Sequence, residues 1–99
     1  MKVKNFYSIN QFILEDKKKR VFQSYNSTIL LYDKEKELVT LGKDWNYSNT
    51  TRKYLYLFID EMIPYNEKTK ELINTKKERN RKEAIKKLIN DKKIIVKNI

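Results

Sequence analysis

The 99-residue sequence predicts an α+β fold: a three-stranded antiparallel meander packed on a central helix, with an N-terminal helix, a basic C-terminal helix and a short last strand. Three observations carry that prediction. Between residues 20 and 42, three short runs rich in β-branched and aromatic residues follow one another across polar breaks. An apolar run, Tyr54 to Ile59, lies between a cluster of hydroxyl residues and the lone proline, Pro64. Beyond Pro64, apolar pairs recur at helical spacing within a field of lysine and arginine.

The elements follow in order. YSINQF reads as a helix start, with Ser8 as cap, Gln11 reaching back and Tyr7 stapled against Phe12. That helix runs through Leu14 into the charged cluster EDKKKR, and turns Ile9, Phe12 and Ile13 toward the core. RVFQSY, STILLYD and ELVTLG then read as strands, joined by a tight turn at Asn26-Ser27 and a four-residue loop at 33–36. Gly42, the only glycine, closes the third strand, where a positive φ suits it.

Ser48, Asn49, Thr50 and Thr51 offer caps for a central helix over about 51–63, which Pro64 ends. Helical spacing resumes from about 66 to 90, with apolar patches at Leu72-Ile73 and at Ala84, Ile85, Leu88 and Ile89. Between them NTKKERNRKE has no apolar residue; a helix polar all round bridges solvent, binds something or breaks. Residues 94–96, IIV, read as a strand joining a sheet edge. The chain is one domain, 1–99, with a basic helical C-terminal part at 66–99.

Cysteine and histidine are both absent, which excludes disulfides, thiolate metal sites, Ser-His-Asp triads and histidine-based zinc sites. EDK at 15–17 matches an E-x-K nuclease spacing, a pattern close to random in a chain with 36% charged residues. No catalytic residue, metal or cofactor is expected, and the chain reads as non-enzymatic. No apolar run reaches signal-peptide or membrane-span length, so no membrane role is expected and the location expected is the cytoplasm. The sequons at Asn26, Asn46 and Asn49 are then without consequence.

The net charge of +10 is uneven: +3 over residues 1–49 and +7 over residues 50–99. That excess favours a polyanion or an acidic protein surface as partner. Two constellations stand out. Trp45, Tyr47, Ser48, Thr50, Thr51, Arg52 and Lys53 combine a helix start, hydroxyls, cations and aromatics, the parts of an anion-binding or partner-binding site. Against this, Trp45 and Tyr47 also suit a core, and Arg52 a surface pair with Asp44. Lys76, Lys77, Arg79, Arg81, Lys82 and Lys86 form the second set, a candidate polyanion-binding stripe: Lys76, Arg79 and Lys86 lie near one helical face and the others widen it. The alternative for these is a solvated helix relieved by Glu78–Lys82 and Glu83–Lys87 pairs.

SYNSTILLYD followed by LGKDWNYSNTTRKYLYLFI resembles small proteins of phages and mobile elements of low-GC Gram-positive bacteria. There a SY-x-S/T strand precedes an LG-x-DW-x-YS-x-TT segment that enters a helix, matched here at Leu41, Gly42, Asp44, Trp45, Tyr47, Ser48, Thr50 and Thr51. The resemblance covers roughly residues 20–60. It implies a phage or mobile-element setting and carries over no functional residue. With the charge, it leads to a binding protein that inhibits a host defence nucleoprotein complex, as an anti-CRISPR does. Its partner would be a host protein or ribonucleoprotein, with nucleic acid a further possibility. The alternative is a DNA-binding accessory or regulatory protein of a phage.

Overall fold

The computed structural model describes all residues, 1–99. It has six strands: β1 (Lys2–Phe6), β2 (Ser8–Glu15), β3 (Lys19–Ser24), β4 (Ser27–Asp33), β5 (Leu38–Gly42) and β6 (Ile95–Lys97). They form one sheet in chain order, antiparallel except for the last pair, β5 with β6, which is parallel. A parallel neighbour needs a crossover. Here that crossover is the helical layer: α1 (Asn49–Met62), α2 (Lys70–Asn74), a 3-10 turn at Thr75–Lys77 and α3 (Arg81–Asn90).

The class is α+β, but the three-stranded meander with an N-terminal helix is incorrect: the sheet is six-stranded and mixed. Residues 8–15 are strand, and Ser8 caps nothing. Tyr7, with φ 63°, turns the chain back tightly, and Asn5 Nδ2 braces the turn on the carbonyls of Ser8 and Ile9, at 3.2 and 2.9 Å. Tyr7 packs edge-on against Phe6, with ring centroids 4.8 Å apart, as part of a strand turn and not a helix staple. Its hydroxyl donates to the Glu61 carboxylate at 2.6 Å, tying this hairpin to the end of α1. The hydrogen bond to Glu61 raises the Tyr7 pKa, since ionising the phenol forfeits it.

The middle of the sheet follows the expected strands with different turns. Tyr25, at φ 54°, is the left-handed residue of the β3–β4 turn. Lys34–Glu37 form the next loop, where Asp33 Oδ1 accepts from the backbone N–H of Glu35 and Lys36. Gly42 needs no positive φ. A Cβ at that position would lie 2.0 Å from the Thr28 carbonyl oxygen, so glycine is required by close approach of β4.

The strand register lays two rows across the sheet. Lys4, Ile13, Phe22, Leu30, Leu41 and Val96 face the helices. Beneath α1 they meet Leu55, Phe58 and Ile59, all fully buried, and Phe22 stacks on Phe58 with ring centroids 5.4 Å apart. Alternation puts Val3, Leu14, Val21, Leu31, Thr40 and Ile95 on the opposite face, one per strand and register partners throughout. No helix covers that row: Val21 is buried yet stands outside the main core cluster.

The expected helix over 66–90 is interrupted. The Thr75 hydroxyl donates to the Leu72 carbonyl at 2.5 Å, the 3-10 turn tightens the chain, and Glu78 leaves it extended. Asn80 then caps α3, its Oδ1 accepting from the Glu83 N–H at 3.2 Å. With no apolar side chain to hold residues 76–83 against the core, a helix there has nothing to bury and breaks. No helix is long and apolar enough to cross a membrane.

Candidate binding surfaces

The loop from Lys43 to Ser48 descends from β5 in two successive turns, Trp45 N–H to Gly42 O and Tyr47 N–H to Asp44 O. Trp45 plugs the core at 6% exposure, while Tyr47 stands out at 78%. Ser48 is the cap of α1. Its Oγ accepts from the Thr51 N–H at 3.1 Å and donates to Thr51 Oγ1 at 3.2 Å. Buried Thr51 in turn meets the Ser24 hydroxyl at 3.3 Å, fastening the helix start to β3.

A cleft of about 510 Å³ opens between this helix start and the β3–β4 turn. Tyr47, Ser48, Thr50 and Thr51 line one wall, and Ser24, Tyr25, Asn26 and Ser27 the other. Four of the predicted residues therefore come together, and three do not. Trp45 lies behind the wall. Arg52 donates to the Asn46 side-chain oxygen at 2.6 Å, to the Asn46 carbonyl at 3.3 Å and to Asn49 Oδ1. Lys53 is exposed, its ammonium 5.4 Å from the Tyr54 ring centroid. Asp44 is not the partner of Arg52, since its carboxylate accepts from Ser27 Oγ at 3.1 Å. Sequence reading missed the β3–β4 wall because only the folded register brings that turn to α1.

The second set divides in the same way. Arg81 makes a two-pronged ion pair with Asp60 at 2.8 and 2.9 Å, and its Nε donates to Thr75 Oγ1 at 3.0 Å. Its guanidinium carbon lies 4.8 Å from the Tyr56 ring centroid, and the side chain is 11% exposed. Burial pushes the Tyr56 pKa up, against the pull of Arg52 and Arg81 nearby. Arg81 is thus a clamp between α3 and α1. With Asp60 open to solvent, the pair contributes about 1 kcal/mol. Lys86 stands 3.7 Å from Glu83. Lys76, Lys77, Arg79 and Lys82 pair with no acidic group. Because the helix breaks, these four cations surround a turn and do not line a stripe.

A third charged group sits at the opposite end of the sheet. Glu15 accepts from Arg20 Nη2 at 2.7 Å and from Lys34 Nζ at 2.6 Å, and these bonds bring its carboxyl pKa down to about 2. Arg20 also donates to the Met62 carbonyl at 2.5 Å, closing the C-terminal end of α1. Lys17, the cation of the E-x-K spacing, makes no ion pair with Glu15. No three acidic side chains converge anywhere to hold a metal ion.

These features fall within a unit shared with other proteins. A family model matches residues 1–87, from β1 into α3, far beyond the 20–60 segment. The chain belongs to DUF8033, a family of unknown function. No curated protein and no solved structure matches it. Both the hydroxyl-lined cleft and the unpaired cations of the α2–α3 turn lie inside the family unit.

Proposed function

We propose that the protein is a non-enzymatic, phage-type binding protein that inhibits a host defence nucleoprotein complex in the cytoplasm, in the manner of an anti-CRISPR. One observation carries the reading: Lys76, Lys77, Arg79 and Lys82 lie close in sequence around the α2–α3 interruption, and none makes an ion pair. Like charges so close repel, and an external polyanion relieves the repulsion while releasing its own counterions. The resemblance of residues 20–60 to phage and mobile-element proteins supports the setting. A compact cluster matches a local phosphate or carboxylate array better than it matches the length of a duplex groove. This favours inhibition of a complex over the alternative, DNA-binding regulation.

The test is affinity capture from host lysate, with and without nuclease, comparing wild type with the quadruple variant Lys76→Glu, Lys77→Glu, Arg79→Glu and Lys82→Glu. Wild type should retain one nucleoprotein complex and the variant should lose it. Equal capture by both would dismiss the cluster as the contact. Retention of bare duplex alone, weakening steeply with salt, would replace the inhibitor with the phage regulator.

A further inference from the structure

The open face of the sheet, and not the cationic turn, is where the molecule has apolar surface to bury. We infer that two copies pack face to face through the row Val3, Leu14, Val21, Leu31, Thr40 and Ile95, giving a symmetric dimer. The ends of the row are the most open, Val3 at 61% and Ile95 at 53% with the flanking Leu38 at 41%, while Leu14, Leu31 and Thr40 are half-buried and Val21, at 7%, is shielded by its neighbours on the sheet. A neighbouring row, Asn5, Phe12, Gln23 and Thr28, is uncharged as well.

The occupant follows from charge and area. Strand residues on this face carry only three charges, Lys19, Asp33 and Lys97, and Lys19 stands opposite Asp33 in register. A face so nearly neutral gives little electrostatic attraction to a polyanion or to an acidic partner. For a second copy it is self-complementary. Such packing also leaves both helical layers on the outside. The molecule is 24 Å across its thinnest dimension, beyond two screening lengths of roughly 8–10 Å in physiological salt. The cations of the helical layer of each copy therefore stay on the outside, and the strand residues of the face itself bring only +1 from each chain. Six strands at about 4.8 Å spacing and roughly 18 Å of strand length give a footprint on the order of 1,000 Å² over two copies. That lies near the lower bound for a specific interface.

Sedimentation velocity with light scattering on the full chain, from micromolar to millimolar concentration, tests this. Wild type should move from the 12.1 kDa chain mass to twice that value. Leu31→Lys, which puts two unpaired charges into the interface, should raise the dissociation constant at least about a hundredfold. If Leu31→Lys does not fold, Ile95→Lys on the exposed edge strand reads the same interface. The quadruple Glu variant of the cationic turn should dimerise as wild type does, which separates this surface from the polyanion contact. A wild type that stays at chain mass into the millimolar range overturns the dimer. So does a dimer untouched by both Lys substitutions. Binding of a monomeric wild type to neutral lipid vesicles, abolished by Leu31→Lys, would assign the face to lipid.

Discussion

Arg52 stands where a cation is least welcome, in the first turn of α1 at the positive end of the helix dipole. Three oxygens from Asn46 and Asn49 surround its guanidinium, so the local field it feels is made by amide dipoles as well as by the helix. It straps the Lys43–Ser48 loop to the helix that follows. Lys53 has no such role. Arg52→Ala is therefore expected to lower stability by about 1 kcal/mol, and Lys53→Ala to change it by less than about 0.5 kcal/mol. Urea titrations of both decide the matter. If Arg52→Ala leaves the midpoint unchanged or higher, the strap contributes nothing and an external anion becomes the better account of the cation. Much at this scale was readable in advance, including Ser48 as cap and a Trp45 that suits the core. The Asn46 and Asn49 acceptors were not, because an arginine beside a capped helix start has many candidate partners within reach of its long stem.

Elements were legible where β-branched and aromatic runs stand between polar breaks or behind a helix cap; β1, short and largely polar, carried no such signal. β3, β4, β5 and α1 announced themselves by composition and punctuation. β2 did not. Phe12 and Leu14 lie on the open face, Ile13 on the helix face, and the residue buried beside Ser24 is the polar Gln11. A strand apolar on both sides loses its period of two, and a tripeptide Phe-Ile-Leu after a serine then imitates a helix. The α2–α3 interruption did leave a trace, since Asn80 and Glu83 have the spacing of a helix cap.

The end of β2 also predicts how the fold answers acid. Glu15 is held at a pKa of about 2 by Arg20 and Lys34, below the 4.5 of a free carboxylate. Its contribution to stability is complete above pH 4.5 and is lost as pH falls toward 2. Wild type should lose more stability across that window than Glu15→Gln, whose neutral amide does not titrate. Parallel acid denaturation curves for the two chains would remove Glu15 as the titrating tie.

For the whole molecule, the decisive arrangement is the separation of charge from apolar surface. Much of the +10 lies on the helical layer, the sheet edge and the loops, while the open face is almost free of it. Self-repulsion of that size weakens the folded state at low ionic strength. The melting temperature is expected to rise by a few degrees between about 10 and 200 mM salt, as the screening length falls from roughly 30 Å to below 10 Å. Calorimetry across that series checks it; a falling melting temperature would mean that the Glu15 and Arg81 ion pairs outweigh the repulsion. The order of the sheet has a further consequence, in time. Five strands form by pairing each with the one just before it, and only β6 waits for a distant partner. During synthesis all the residues of β1–β5 are therefore made, and free to pair, before any of the helices. At translation speeds of about 5–20 residues per second, the 20 residues from Lys43 to Met62, the end of α1, take roughly 1–4 s to appear. For that interval a nascent chain carries a sheet bare on both sides, next to identical chains growing on the same message.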